Sequence, residues 1–275
     1  MGTALAGARG VFSPLPAAAA LAGALLIQIA TNLANDYFDH LKGGDNESRI
    51  GPVRVVQAGL IEPRAVLRAT FFVLALATLV GGYLVWVGGL PILVIGLLSL
   101  LFAVAYTGGP FPLAYRGLGD PFAFVFFGPV AVAGTVWVQG RVFAPEFVLA
   151  GAGVGAIVTA ILVVNNLRDR ETDAEAGKRT LAVRLGVRGT RAEYAGLVAA
   201  AFLVPPAGIA LYGWSGWTLL ALGALIPLWP ALERILTFAD PRELNPALGE
   251  TARGLTWYAA FLAVGFVVGT GAWTP

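Results

Sequence analysis

The sequence predicts an all-α, polytopic membrane helix bundle: two related four-helix halves with eight full spans, preceded by the N-terminal stub of a ninth. Three observations lead there. Of 275 residues, 57% are hydrophobic and 12% charged, about half the charged share of a soluble domain, and the mean hydropathy is +0.77. The charges are clustered and leave long uncharged stretches between them. Two acidic motifs of matching spacing recur at corresponding places. The same composition excludes a disordered chain. A pI near 9.1 could suggest a nucleic-acid partner, but a net charge of +2 is too small for phosphate-backbone binding. Cysteine is absent and His40 is the one histidine, so disulfides, thiolate metal sites and histidine-rich centres are excluded as well.

The uncharged stretches are 10–35, 69–115, 121–140, 147–167, 194–232 and 254–275. A membrane helix needs about 20 apolar residues, so the two longest each hold a pair. Gly88-Gly89-Leu90-Pro91 divides one pair and Gly213-Trp214-Ser215-Gly216 the other. The predicted spans are 15–35, 66–87, 90–106, 121–139, 146–166, 194–212, 217–236 and 254–272, all in one domain covering 1–275. Interior glycines and prolines are tolerable, since neighbouring helices satisfy freed backbone groups and small residues permit close packing.

Lysine and arginine set the orientation. The loops 36–65, 107–120, 167–193 and 237–253, with their flanking helix ends, hold 16 of the 18 basic residues and all acidic residues but Glu146. These loops are therefore expected in the cytoplasm. Acids contribute little to topology, so their gathering on one face calls for a chemical reason. Arg9 and Arg141 lie on the opposite side. Arg9 after so short an apolar segment is expected to mark the end of a ninth helix whose first part precedes this reading frame.

The loop after the first span reads Asn32-Leu33-Ala34-Asn35-Asp36-Tyr37-Phe38-Asp39-His40-Leu41-Lys42-Gly43-Gly44-Asp45, and the one after the fifth reads Asn165-Asn166-Leu167-Arg168-Asp169-Arg170-Glu171-Thr172-Asp173. Residues four apart share a helix face, so Asn35 and Asp39 form one polar stripe and Asn165, Asp169 and Asp173 another. Gly43-Gly44 breaks the first helix and lets Asp45 return toward its stripe. Ligands made only of oxygen suit Mg²⁺, which one or two carboxylates hold together with substrate phosphates. Two facing stripes would hold Mg²⁺ ions bridging a diphosphate, with Lys42, Arg49, Arg54, Lys178 and Arg179 near the remaining charge. A single stripe of this kind is more often a solvated helix cap; two with matching spacing favour function.

At these residues the chain resembles the UbiA superfamily of intramembrane aromatic prenyltransferases. The resemblance is carried by NLANDYFDHLKGGD (32–45), RIGPVRVVQAGLI (49–61), YTGGPFPLAYRGLGD (106–120) and NNLRDRETDAEAGKRTLAVRLG (165–186). Segments 2 and 3 favour the branch acting on 1,4-dihydroxy-2-naphthoate in menaquinone synthesis; another aromatic acceptor is the alternative. The resemblance implies Mg²⁺ at Asp39, Asp45, Asp169 and Asp173, with Asp39 and Asp169 catalytic. It also implies polyprenyl diphosphate and dihydroxynaphthoate as substrates, CO2 and diphosphate as by-products, and a bacterial plasma membrane location.

Tyr106 is expected either to touch the diphosphate or to anchor at the interface. Asp120 reads as an acid favoured by a helix N-terminus, His40 as a solvated loop residue. The competing class is a cation-coupled transporter, but its coupling acids should lie near mid-membrane; here they gather at one face.

Overall fold

In the computed structural model, which describes residues 1–43, 50–51 and 54–269, every regular element is helical among the described residues. In chain order the α-helices are α1 (Gly2–Ala8), α2 (Pro14–Leu41), α3 (Pro63–Gly88), α4 (Leu90–Ala105), α5 (Gly119–Val125), α6 (Ala131–Gly140), α7 (Pro145–Arg168), α8 (Arg170–Glu175), α9 (Leu181–Tyr212), α10 (Leu225–Thr237, continuing a 3-10 helix over Gly216–Ala224) and α11 (Leu244–Val268). Proline stands in the first turn of α2, α3, α4 and α7, where its missing N–H has no helical partner to lose. Both predicted breaks occur: Gly89 (φ 73°) separates α3 from α4, and Gly213 (φ 66°) ends α9.

Seven helical rods are long and apolar enough to cross a bilayer among the described residues. The chain is an integral membrane protein. The predicted span 90–106 forms the 16-residue α4, about 24 Å long against a hydrocarbon core of about 30 Å. Two other expectations began too late. The span predicted from 194 starts at Leu181 and the one from 254 starts at Leu244. Charge marks where a helix leaves the bilayer, and these helices continue past that point. Thr180 caps the extension of α9 through the Val183 N–H (3.3 Å), and the helix kinks at Gly186 (φ 65°). Lipid-facing side chains are large and apolar: Phe71, Phe72, Leu79, Trp86 and Ile226 are all exposed.

The most buried helix is α7, packed between α9, α11 and the α5–α6 rod. That rod is continuous through one wide turn, Phe126–Val130, where Pro129 cannot donate to the helical ladder. There Gly128 meets α7 backbone to backbone. A Cβ on Gly128 would lie 2.6 Å from the Gly151 carbonyl oxygen and 2.7 Å from the Gly155 Cα, so nothing larger than glycine fits this crossing.

The four charged loops meet at one end of the bundle. Arg168 donates to Asn245 (3.2 Å), Asn245 to the Ile50 carbonyl (3.4 Å), Arg191 to the Ile235 and Phe238 carbonyls (2.9 and 2.8 Å), and the Arg179 N–H to the Tyr115 carbonyl (3.1 Å). At the other end Arg9, assigned to that side by its sequence, pairs with Glu146, the one acid outside the cluster. Arg141 donates to the Val87 carbonyl there (2.8 Å).

Candidate active site

Asp39 stands in the last turn of α2, which ends when Lys42 caps it and Gly43 turns left-handed (φ 70°). Only glycine adopts that backbone readily. Asp39 is buried, and its Oδ1 accepts from the Tyr115 hydroxyl (3.0 Å). Tyr115 belongs to the loop between α4 and α5, whose Thr107 hydroxyl donates to Asn35 Oδ1 (2.8 Å) and whose Thr107 carbonyl accepts from Lys42 Nζ (2.5 Å). Three residues of the first motif region are therefore held by one loop. His40 lies in the same helical turn and is half-buried, a correction to its expected place in a solvated loop: α2 continues through Leu41.

The second motif runs from α7 into α8. Asp169 caps both, and the Asp173 N–H donates to the Asp169 carbonyl (2.8 Å), so the four-residue stripe survives the break. Both Asp169 oxygens accept from Arg168 (2.7 Å each), which also donates to Asn165 Oδ1 (2.6 Å). Asp173 Oδ1 pairs with Lys178 Nζ (3.3 Å), while its Oδ2 is buried without a hydrogen-bond partner.

Lys178 joins the two motifs. Its ammonium lies 5.7 Å from the Tyr115 ring, and that of Lys42 lies 4.8 Å from the same ring, distances at which a cation is attracted by the ring face. Burial opposes the charge on Lys178, but the attraction of Asp39, Asp173 and Asp169 outweighs it and raises its pKa. Burial lifts Asp173 to about 6; Lys178 opposes the shift, and the fields of Asp169 and Asp39 add to it. Lys42 is drawn below its ordinary value by burial, against the pull of Asp39. One lysine thus answers to acids from both motifs.

Tyr106 is half-buried. Its hydroxyl lies 2.7 Å from where a Cβ of Gly119 would sit, and its phenol feels Asp120, Asp39 and Asp173. Asp120 stands in the first turn of α5, as its reading as a helix-end acid expected; it is also 4% exposed, bonded to Asn166, and leaves Oδ1 without a hydrogen-bond partner. Arg54 is half-buried, and Arg179 is exposed with its backbone on Tyr115. Asp45 and Arg49 lie outside the described residues. Sequence spacing missed Tyr115, Thr107, Arg168 and Asp36; the last is 6% exposed, with Oδ1 buried and unpartnered.

These donors fit a hard cation. They are all oxygen, and Asp173 Oδ2 is a desolvated acceptor that nothing in the protein satisfies, an expensive state for a carboxylate. No three acidic side chains stand close enough to hold a metal by themselves among the described residues. Mg²⁺ normally takes one or two carboxylates and completes its shell with phosphate and water.

The profile of the UbiA prenyltransferase family matches residues 1–248. The chain belongs to the UbiA prenyltransferase family. UbiA relatives named 1,4-dihydroxy-2-naphthoate octaprenyltransferase include one from Escherichia coli, 38% identical over 92% of this chain and 84% of its own. Another from Mycobacterium tuberculosis is 38% identical over 89% of this chain and 82% of its own. Among solved structures, a UbiA homolog from Aeropyrum pernix superposes with a TM-score of 0.62 over 98% of this chain and 95% of its own, at 17% identity. That likeness establishes the UbiA fold.

Proposed function

We propose that this chain transfers a polyprenyl group from polyprenyl diphosphate to 1,4-dihydroxy-2-naphthoate, releasing diphosphate and CO2 and giving demethylmenaquinol. One observation carries the reading: Tyr115 donates to Asp39 (3.0 Å) while its ring lies 5.7 Å from the Lys178 ammonium, which pairs with Asp173 (3.3 Å), so residues of both motifs meet at the charged end of an apolar bundle. The names of the relatives support the choice of acceptor.

Asp39, Asp169 and Asp173 would hold Mg²⁺, with Asp45 a further ligand and Asn35 and Asn165 lining the same stripes. Bound there, Mg²⁺ would neutralise diphosphate charge as a Lewis acid. Lys178 and Lys42 present ammonium groups to the leaving diphosphate, with Arg54 and Arg179 supplying further charge at the rim and Arg49 a further candidate from the sequence. Fixed cations aimed at developing negative charge lower the barrier without reorganising. As the prenyl carbon–oxygen bond breaks, its electron pair stays on diphosphate. The electron-rich naphthoate ring forms the new carbon–carbon bond, and its carboxylate leaves as CO2. Tyr106 and Tyr115 stand beside the acids and exclude water from the cation.

The prenyl tail lies among the apolar helices, in contact with the bilayer. The charge distribution supports a site facing the cytoplasm in a bacterial plasma membrane, and the matching motifs support two related halves within one domain, 1–275. The test is to combine purified protein, Mg²⁺, a polyprenyl diphosphate and dihydroxynaphthoate. A prenylated quinol and stoichiometric CO2 are expected. Diphosphate consumed without either product refutes the assignment.

A further inference from the structure

We propose that Arg168 is the positioning residue of the second acidic motif and that Asn245, at the start of α11, anchors it. The inference rests on the metal–diphosphate reading above and concerns how the chain prepares Asp169 for that role.

Arg168 is the largest fully buried side chain among the described residues, at 1% exposure. A guanidinium has five N–H donors and never gives up its charge in proteins. Four contacts use them here. Nε and Nη2 grip the two oxygens of Asp169 at 2.7 Å each, Nη2 also reaches Asn165 Oδ1 at 2.6 Å, and Nη1 reaches Asn245 Oδ1 at 3.2 Å. This is the two-pronged geometry that an arginine supplies and a lysine cannot. Adjacent residues on a continuous helix do not face each other. The pairing occurs because the helix breaks at Asp169, where φ is −90° and ψ is 8°.

A carboxylate has about four lone-pair sites, and Arg168 uses one on each oxygen. The two contacts hold Asp169 in one orientation. Asp173 differs, since its Oδ2 has no hydrogen-bond partner. The second motif thus pairs a fixed carboxylate with an open one. Asn245 extends the fixed part, because its Nδ2 donates to the Ile50 carbonyl at 3.4 Å. That carbonyl lies just beyond the first motif, so one amide ties the two motif regions through α11. Partners that orient a metal's ligands typically change metal affinity by about 10- to 100-fold when removed.

The test uses full-length protein in detergent, with Mn²⁺ binding in the presence of inorganic diphosphate read by electron paramagnetic resonance, beside Mg²⁺-dependent turnover. Arg168→Lys should weaken Mn²⁺ by at least about 10-fold. Asn245→Ala should weaken it by about 3- to 10-fold and raise the Mg²⁺ needed for half-maximal rate, with kcat near wild type at saturating Mg²⁺. Asn245→Asp keeps an acceptor for Arg168 but cannot donate to the Ile50 carbonyl, so it should recover part of the binding that Asn245→Ala loses. Melting curves identify folded variants, and if Arg168→Lys does not fold, the two Asn245 variants decide. Folded Asn245→Ala with wild-type Mn²⁺ affinity and Mg²⁺ response overturns the proposal, as does a lowered melting temperature with unchanged metal binding. A wild-type protein that binds no Mn²⁺ with diphosphate overturns the functional reading first, an outcome distinct from equal binding by wild type and variants.

Discussion

Asp173→Asn should make the metal-free protein more stable while destroying its activity. Burial raises the Asp173 carboxyl from 3.8 to about 6, with Lys178 opposing and Asp169 and Asp39 adding. A rise of roughly two units corresponds to about 3 kcal/mol. The folded protein binds this proton more tightly than the unfolded chain does. The stabilisation is therefore complete below about pH 4 and is lost as the pH rises through about 6. At pH 7.5 the ionised side chain opposes folding. Asparagine removes that penalty, which already allows for the 3.3 Å Lys178 contact, so the gain should be at most about 3 kcal/mol, or at most about 6–12 °C in melting temperature. The assay is thermal unfolding in detergent with a chelator at pH 5 and pH 7.5. Wild type should melt higher at pH 5, and the variant should gain most at pH 7.5 and show a shallower pH dependence. Mg²⁺ with diphosphate should stabilise wild type and not the variant. A variant that melts below wild type at pH 7.5, or has the same pH slope, refutes the reasoning.

Asp39→Asn and Asp169→Asn should each lower turnover by at least about 100-fold, whereas Glu175→Gln, at an exposed loop position, should keep most of it; equal rates in all three would sink the site assignment. Asp169→Asn should also lose stability, because buried Arg168 would face a neutral amide, while Asp39→Asn should melt near wild type in the same unfolding scan. Tyr115→Phe removes the 3.0 Å bond to Asp39 and keeps the ring between the lysines, so turnover should fall by about 10-fold with normal folded yield; a bond to a charged group is worth about 1.5–3 kcal/mol. Gly119→Ala places a methyl 2.7 Å from the Tyr106 hydroxyl and should lower the melting temperature by an amount equivalent to about 1–3 kcal/mol, which Tyr106→Phe should partly recover in the double variant.

The membrane rods were legible because uncharged stretches and glycine–proline breaks are one-dimensional signals. Gly89 and Gly213 turn the chain where the sequence placed the breaks. The Asp169–Asp173 stripe was legible for the same reason, as four-residue spacing is a property of the helix itself. The spacing rule was also what hid Arg168, since a neighbour in sequence points away on an unbroken helix and only the break at Asp169 turns it back. Tyr115, Thr107 and Asn245 reach the motifs from other loops, and no local pattern records such an approach. Asp36 was passed over because only four-residue spacings were counted, although a residue three before Asp39 lies beside it on the helix surface. The start of α9 was misplaced because Arg184, Arg188 and Arg191 were read as loop charges, although a helix emerging from the bilayer carries them readily.

The glycine crossing between α7 and the α5–α6 rod has a mechanical consequence. Where Gly128 lies against Gly151 and Gly155, two backbones touch with no side chain between them to act as a bearing. Sliding would drive a carbonyl into an α-carbon, and separation would open a void that no nearby group fills. This wall is the stator of the molecule. The helix carrying the second motif is fixed to it, so an opening that admits a long hydrocarbon chain is expected away from this crossing. Substitutions that alter the rate of such opening should therefore lie away from the crossing, while those at Gly128, Gly151 or Gly155 should abolish the folded protein outright.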